Sequence, residues 1–124
     1  MTKRRTKTRE LAIVAGVRTP FCRAQGALAG ASAADLGAFA LREVLDRTGL
    51  DPAVVDEVIL GCAGADAREA NVARVAALRA GLPEQTPAVT VMRNCASGLE
   101  SLVAARQALV ECLAAVLHRG RGGA

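Results

Sequence analysis

At 124 residues the chain has the length of one domain, and its 52% hydrophobic and 23% charged residues place it in the globular class. No apolar run approaches the ~20 residues that a bilayer-crossing helix requires, and 2% aromatics with no Trp or Tyr argue against a platform for stacking nucleic-acid bases. The net charge of +4 is local: Lys3, Arg4, Arg5, Lys7 and Arg9 against Glu10 account for all of it, which argues against a basic nucleic-acid-binding stripe on the folded body.

Residues 1–10 read as a basic disordered tail, either a solvated extension or an Arg-rich mitochondrial targeting segment, although apolar residues are too few there for a good amphipathic helix. Leu11 to Val17 has the pattern of a strand, and Arg18 to Ala31 that of a long loop punctuated by Pro20, Gly26 and Gly30. Ser32 with Asp35 three residues on has capping-box spacing. It opens a helix through Arg47 that ends at Gly49, with Leu36, Phe39, Ala40 and Val44 as the inward stripe. Asp51-Pro52 starts a short turn before a strand over Glu57 to Gly61, and Arg68 to Ala80 reads as a helix stopped by Gly81 and Pro83. The apolar run Pro87 to Met92 is a buried strand, and Leu99 to Leu117 is a long helix. Strands alternating with helices predict an α/β fold, a mixed or parallel sheet covered on both faces.

In the final helix Leu99, Leu102, Val103, Leu109, Val110, Leu113 and Leu117 share one arc, and Arg106 falls near its middle. A charge there needs a carboxylate, an escape to water, or a substrate. Cys22, Cys62, Cys95 and Cys112 lie far apart without a Cys-x-x-Cys pair, and His118 is the sole histidine, the pattern of neither a zinc site nor a redox dithiol. Cys22, Cys62 and Cys112 read as packing residues.

Cys95 is different. It stands in Asn94-Cys95-Ala96-Ser97-Gly98, between the strand and the long helix, where a turn displays the sulfur and the positive end of the helix favours negative charge on it. The small residues behind it allow a substrate close to the backbone. Residue pattern alone leaves Cys95 evenly balanced between a nucleophile and a small buried hydrophobe.

The stretch Thr90-Val91-Met92-Arg93-Asn94-Cys95-Ala96-Ser97-Gly98-Leu99 closely resembles the nucleophile segment of thiolases, the acetyl-CoA acetyltransferase family. Upstream landmarks agree in order and spacing: Ala12-Ile13-Val14 running into Arg18-Thr19-Pro20-Phe21, then Val58-Ile59-Leu60-Gly61, then Asn71-Val72-Ala73-Arg74 leading to Ala80-Gly81-Leu82-Pro83. The resemblance covers about residues 11 to 110. It implies an incomplete amino-terminal lobe of a thiolase-like layered α/β/α fold with a mixed sheet, residues 11–110 forming a partial thiolase amino-terminal domain and 111–124 a divergent tail. It further implies a cytoplasmic enzyme of fatty-acid metabolism, a homo-oligomer when complete.

For chemistry, the resemblance implies that Cys95 attacks an acyl-CoA thioester and passes the acyl group to a second acetyl-CoA or back to CoA, with coenzyme A thioesters as substrates and no permanently bound cofactor. The family's activating histidine, second acid/base cysteine and much of its CoA site lie in later segments without counterparts here. His118, more than twenty residues down the same predicted helix, would sit over about 30 Å from Cys95 at ~1.5 Å rise per residue, and Cys112 about 25 Å away. Arg18 and Arg74 match family landmarks and read as either CoA phosphate contacts or structural ion pairs, while Met92 stands where many thiolases carry asparagine. After Val110 the family pattern turns into a new strand, whereas Glu111 to His118 continues helically, so truncation or a reading-frame change near residue 110 is expected. An unpaired strand over Leu11 to Val17 implies marginal stability and self-association. The alternative to an acyltransferase is a non-catalytic fragment that folds against a partner, such as a complementary thiolase subunit.

Overall fold

The computed structural model describes the backbone of residues 11–119 and the side chains of 11–110. The basic head 1–10 and the Gly/Arg end 120–124 lie outside the described residues, as do the side chains of Cys112 and His118. The order is α1 (Ala33–Thr48), β1 (Val58–Gly61), α2 (Val72–Arg79), β2 (Ala88–Val91) and α3 (Ser97–Arg119).

The ends of α1 follow from its caps. The Asp35 amide donates to Ser32 Oγ at 3.1 Å and the Ser32 amide to Asp35 Oδ2 at 3.0 Å, a complete capping box. At the other end Gly49 takes a left-handed φ of 65° and donates to the Leu45 carbonyl at 2.9 Å. Arg79, at the end of α2, reaches this cap, pairing with Asp35 at 3.0 Å and with Glu69 at 2.7 Å. The short turn over Pro52–Val54 is capped by Asp51, as its Asp-Pro start signal predicts.

The packed face of α1 differs from the predicted stripe. Ala34 and Ala38 are buried, and Leu41 and Leu45 pack against Val58, Ala77 and Leu82. Phe39 is half exposed and, with Leu36 and Ala40, lines a groove beside residues 17–20 instead. The cause is shape. Helix α2 presents Ala73, Ala76 and Ala77, and a Cβ added at Gly37 would lie 3.1 Å from both Ala76 Cβ and Leu60 Cδ1. Helices this close accept only small residues between them, so the alanine face wins over the more hydrophobic one.

The predicted helix over 68–80 is split. A 3₁₀ turn at Ala67–Glu69 precedes α2, and Asn71 begins the helix by accepting from the Arg74 amide at 3.2 Å. Asn71 Nδ2 also donates to the Ala88 carbonyl at 3.1 Å, and Thr90 Oγ1 donates to Asn71 Oδ1 at 2.8 Å while accepting from the Ala73 amide at 2.9 Å. These bonds fasten the start of α2 to β2.

Strands β1 and β2 pair in parallel, Val58 opposite Ala88 through Gly61 opposite Val91. Alternation places Val58, Leu60, Ala88 and Thr90 toward α1 and α2, and Ile59, Gly61, Val89 and Val91 toward α3. The result is an α/β/α layering, with one parallel pair as its sheet among the described residues. At Gly61 the α3 layer comes closest: a Cβ there would collide with the Ser97 carbonyl group and lie 2.7 Å from the Gly98 nitrogen.

Three further expectations are corrected. Strand β2 is not buried: Ala88, Thr90 and Val91 are half-buried and Val89 is 39% exposed. Residues 11–17 form no strand and lie outside the sheet, with Ile13 85% and Val14 78% exposed; among the described residues β1 and β2 pair only with each other. The leucine arc of α3 faces outward: Leu99, Leu102, Val103, Leu109 and Val110 are all exposed, with Arg106 among them. The half-buried positions over 98–110 are Glu100, Ser101, Ala104, Ala105 and Ala108, and all but Glu100 are small residues that again suit close approach. No helix among the described residues is long and apolar enough to cross a membrane.

Gly61→Ala should destabilise the chain by about 1–3 kcal/mol through overpacking, read as a lowered denaturant midpoint; an unchanged midpoint contradicts the Gly61–Ser97 approach. Asp35 provides a pH test. The Ser32 amide above all, then the Ser32 hydroxyl and the Arg79 guanidinium, hold its carboxyl below the ordinary 3.8. A depressed acid contributes stability above its unfolded pKa and loses it as pH falls through the lower folded value. Acidification below about pH 4 should therefore lower the thermal midpoint, and less so in Asp35→Asn; equal losses would show that the cap does not titrate.

Candidate active site

Cys95 lies exposed at the carboxyl end of β2, four residues beyond Val91 and two before α3 begins. In parallel sheets this end of the strands is where ligands bind, because loops and helix amino termini converge there. Cys62 follows β1 at the same end, its amide donating to the Val91 carbonyl at 3.0 Å.

The elbow is held by Ser97. Its hydroxyl is buried, donates to the Asn94 carbonyl at 2.7 Å and accepts from the Arg93 amide at 2.8 Å. The Ser97 amide donates to the same Asn94 carbonyl at 3.2 Å, and Ala96 donates to the Arg93 carbonyl at 2.9 Å. Asn94 is thereby folded into the left-handed region, φ 45°, which asparagine tolerates better than most residues. Directly after this reversal the chain presents Cys95 outward. Arg93 pairs with Glu100 at 3.2 Å across the first turn of α3.

The other predicted positions fall elsewhere. Arg74 donates to the Thr86 and Glu84 carbonyls at 3.0 and 2.7 Å, fastening α2 to the loop before β2, so its contacts are structural. Arg18 sits over the exposed Phe21 ring, 5.3 Å from the centroid. Cys22 and Cys62 are half-buried free thiols. Helix α3 runs unbroken to Arg119, so the backbone at His118 lies at its far end from Cys95. None of the residues whose side chains are described is a histidine.

Among the described residues, one shallow groove of about 240 Å³ includes Arg18, Leu36, Phe39 and Glu43 and another of about 390 Å³ includes Arg42, Leu45 and Pro52; neither includes Cys95. The elbow offers an exposed thiol. Its supporting residues Gly61, Asn71 and Ser97 were legible only as a strand-ending glycine, a cap-type residue before an apolar run, and a small residue in a turn. Ser97→Ala should cost about 1–3 kcal/mol by removing a buried hydroxyl with two partners, and amide hydrogen exchange should rise at Arg93. Unaltered protection at Arg93 would show that the hydroxyl does not hold the elbow.

The described geometry has relatives. Residues 11–117 match the family model of the thiolase amino-terminal domain. The chain is 45% identical over 112 residues to a steroid 3-ketoacyl-CoA thiolase of Mycobacterium tuberculosis, covering 90% of this chain and 28% of that protein. It is 50% identical over 105 residues to a beta-ketoadipyl-CoA thiolase of Escherichia coli, covering 82% of this chain and 26% of that one. The crystal structure of the Bacillus anthracis acetyl-CoA acetyltransferase superposes with a TM-score of 0.62 at 41% identity, over 64% of this chain and 20% of that one. The chain therefore spans about a quarter of the length of these curated relatives, and it belongs to the thiolase family through their amino-terminal domain.

Proposed function

We propose that the chain carries the nucleophile-bearing part of an acyl-CoA acyltransferase, with Cys95 as the group that accepts the acyl chain. The observation that carries this reading is the exposed Cys95 on a Ser97-braced elbow, at the carboxyl end of a parallel strand and the amino end of a long helix. The thiolate would attack the thioester carbonyl carbon and form a C–S bond as the carbonyl electrons move to oxygen. Collapse of that adduct expels CoA as its thiolate and leaves an acyl-cysteine. The acyl group then passes to a second acetyl-CoA or returns to CoA. Coenzyme A thioesters are substrates in this scheme, and no resident cofactor is required.

The Cys95 amide would supply one oxyanion donor. A base and a second donor are not among the groups described around it, so a low rate is expected from this chain alone. We assign residues 11–110 to the thiolase portion, with 1–10 as a basic extension and 111–124 as a divergent end, the family match itself running seven residues further, to 117. The free thiols Cys22, Cys62 and Cys95 suit a reducing, cytoplasmic compartment. The relatives named as 3-ketoacyl-CoA and acetyl-CoA enzymes support a place in fatty-acid or related acyl-CoA metabolism. From the family resemblance we also propose that the complete enzyme is a homo-oligomer.

A second reading, a non-catalytic fragment that folds against a partner, is favoured by one observation: the outward leucine arc of α3. The two readings separate in one experiment. Incubation with acetyl-CoA should add about +42 Da to the chain as an acetyl-cysteine and nothing to Cys95→Ser. Folded protein that gains no mass would favour the scaffold.

A further inference from the structure

Met92 lies between β2 and the elbow, and the structure gives it a contact there. The Asn94 amide donates to Met92 Sδ at 3.3 Å. The side chain is 64% exposed, so burial does not explain its placement. Asn94 holds a positive φ, which asparagine adopts more readily than most residues but which is still less favourable than right-handed backbone, so contacts on both sides of it bear on the turn. Ser97 determines the carbonyl side of Asn94 through its hydroxyl and its amide. On the amide side, the thioether is the only acceptor among the described hydrogen bonds.

We propose that Met92 is a positioning residue for Cys95: its sulfur accepts the Asn94 amide, locks the left-handed turn from the side that Ser97 does not reach, and so fixes the direction in which the Cys95 thiol leaves the backbone. This rests on Cys95 as the nucleophile, but its geometry can be tested without acyl transfer. Met92 thereby does with a thioether, a weak but real acceptor, what a polar side chain could do at the same position.

The test is the rate at which iodoacetamide alkylates Cys95 in the full chain at fixed pH, measured by peptide mass, with Cys62 in the same sample as internal reference. Met92→Leu should slow Cys95 about two- to tenfold relative to Cys62, the loss expected from one modest hydrogen bond. Norleucine incorporation replaces the sulfur with a methylene at almost unchanged shape, and the only other methionine is Met1, so it should give the same result even where the leucine variant fails to fold. Met92→Gln, which carries an acceptor oxygen, should restore the rate to within about twofold. Wild-type rates in the leucine and norleucine proteins overturn the proposal, as does a parallel change at Cys62 and Cys95, which marks general loosening. Failure of glutamine to restore the rate overturns the acceptor role. Absence of an acetyl adduct on the wild-type chain would instead overturn the acyltransferase reading and leave the alkylation comparison standing.

Discussion

The position of Cys95 depends on a backbone-to-backbone approach. Gly61, the last residue of β1, lies against the Ser97 carbonyl and Gly98 nitrogen at the start of α3, with no room for a side chain between them. Because β1 is registered to β2 through Gly61 opposite Val91, that approach fixes the start of α3 relative to the strand that leads into the elbow. The reversal at Asn94 must then close a short gap between two fixed ends. Ser97 is at once the neighbour of Gly61 and the side chain that braces the turn, so packing and hydrogen bonding act on the same residue.

The other layer repeats the principle in side chains. Ala34, Gly37 and Ala38 against Ala73, Ala76 and Ala77 bring α1 close to α2. A core this poor in aromatic rings gains its cohesion from many short-range dispersion contacts rather than from a few large buried side chains. Polar groups supply the register that small apolar residues lack. Asn71 and Thr90 join α2 to β2, Arg74 holds the loop before β2, and Arg79 joins the end of α2 to the cap of α1. The family landmarks around Asn71 and Arg74 are thus scaffold residues, related to the chemistry through the strand that they align.

Local chemistry made much of this legible in sequence. The Ser32 and Asp35 cap, the Gly49 stop, the Asp51-Pro52 turn and the two strands follow from residues that act on their own neighbours, and Cys95 stood out because turn and helix signals flank it. Most of the failures share one cause, a partner that sequence periodicity does not show. The arcs of Leu36, Phe39, Ala40 and Val44 and of Leu99 to Val110 are the more hydrophobic faces of their helices, yet shape placed alanine faces inward. Leu11 to Val17 carries strand propensity, but a strand exists only where another edge accepts its hydrogen bonds. Asn71 split a predicted helix because its side chain competes for the backbone amides of the next turn.

The fastening of β2 to the start of α2 closes a different span of chain from the elbow that carries Cys95. Asn71 and Ala88 are separated by 17 residues, as are Ala73 and Thr90, so this union closes a loop of modest length with correspondingly small entropy loss. The approach of Gly61 to Ser97 closes a longer one and requires β1 to be already paired. The display of Cys95 therefore rests on contacts that span more of the chain, with a larger loop-closure entropy, than those that fasten β2 to α2.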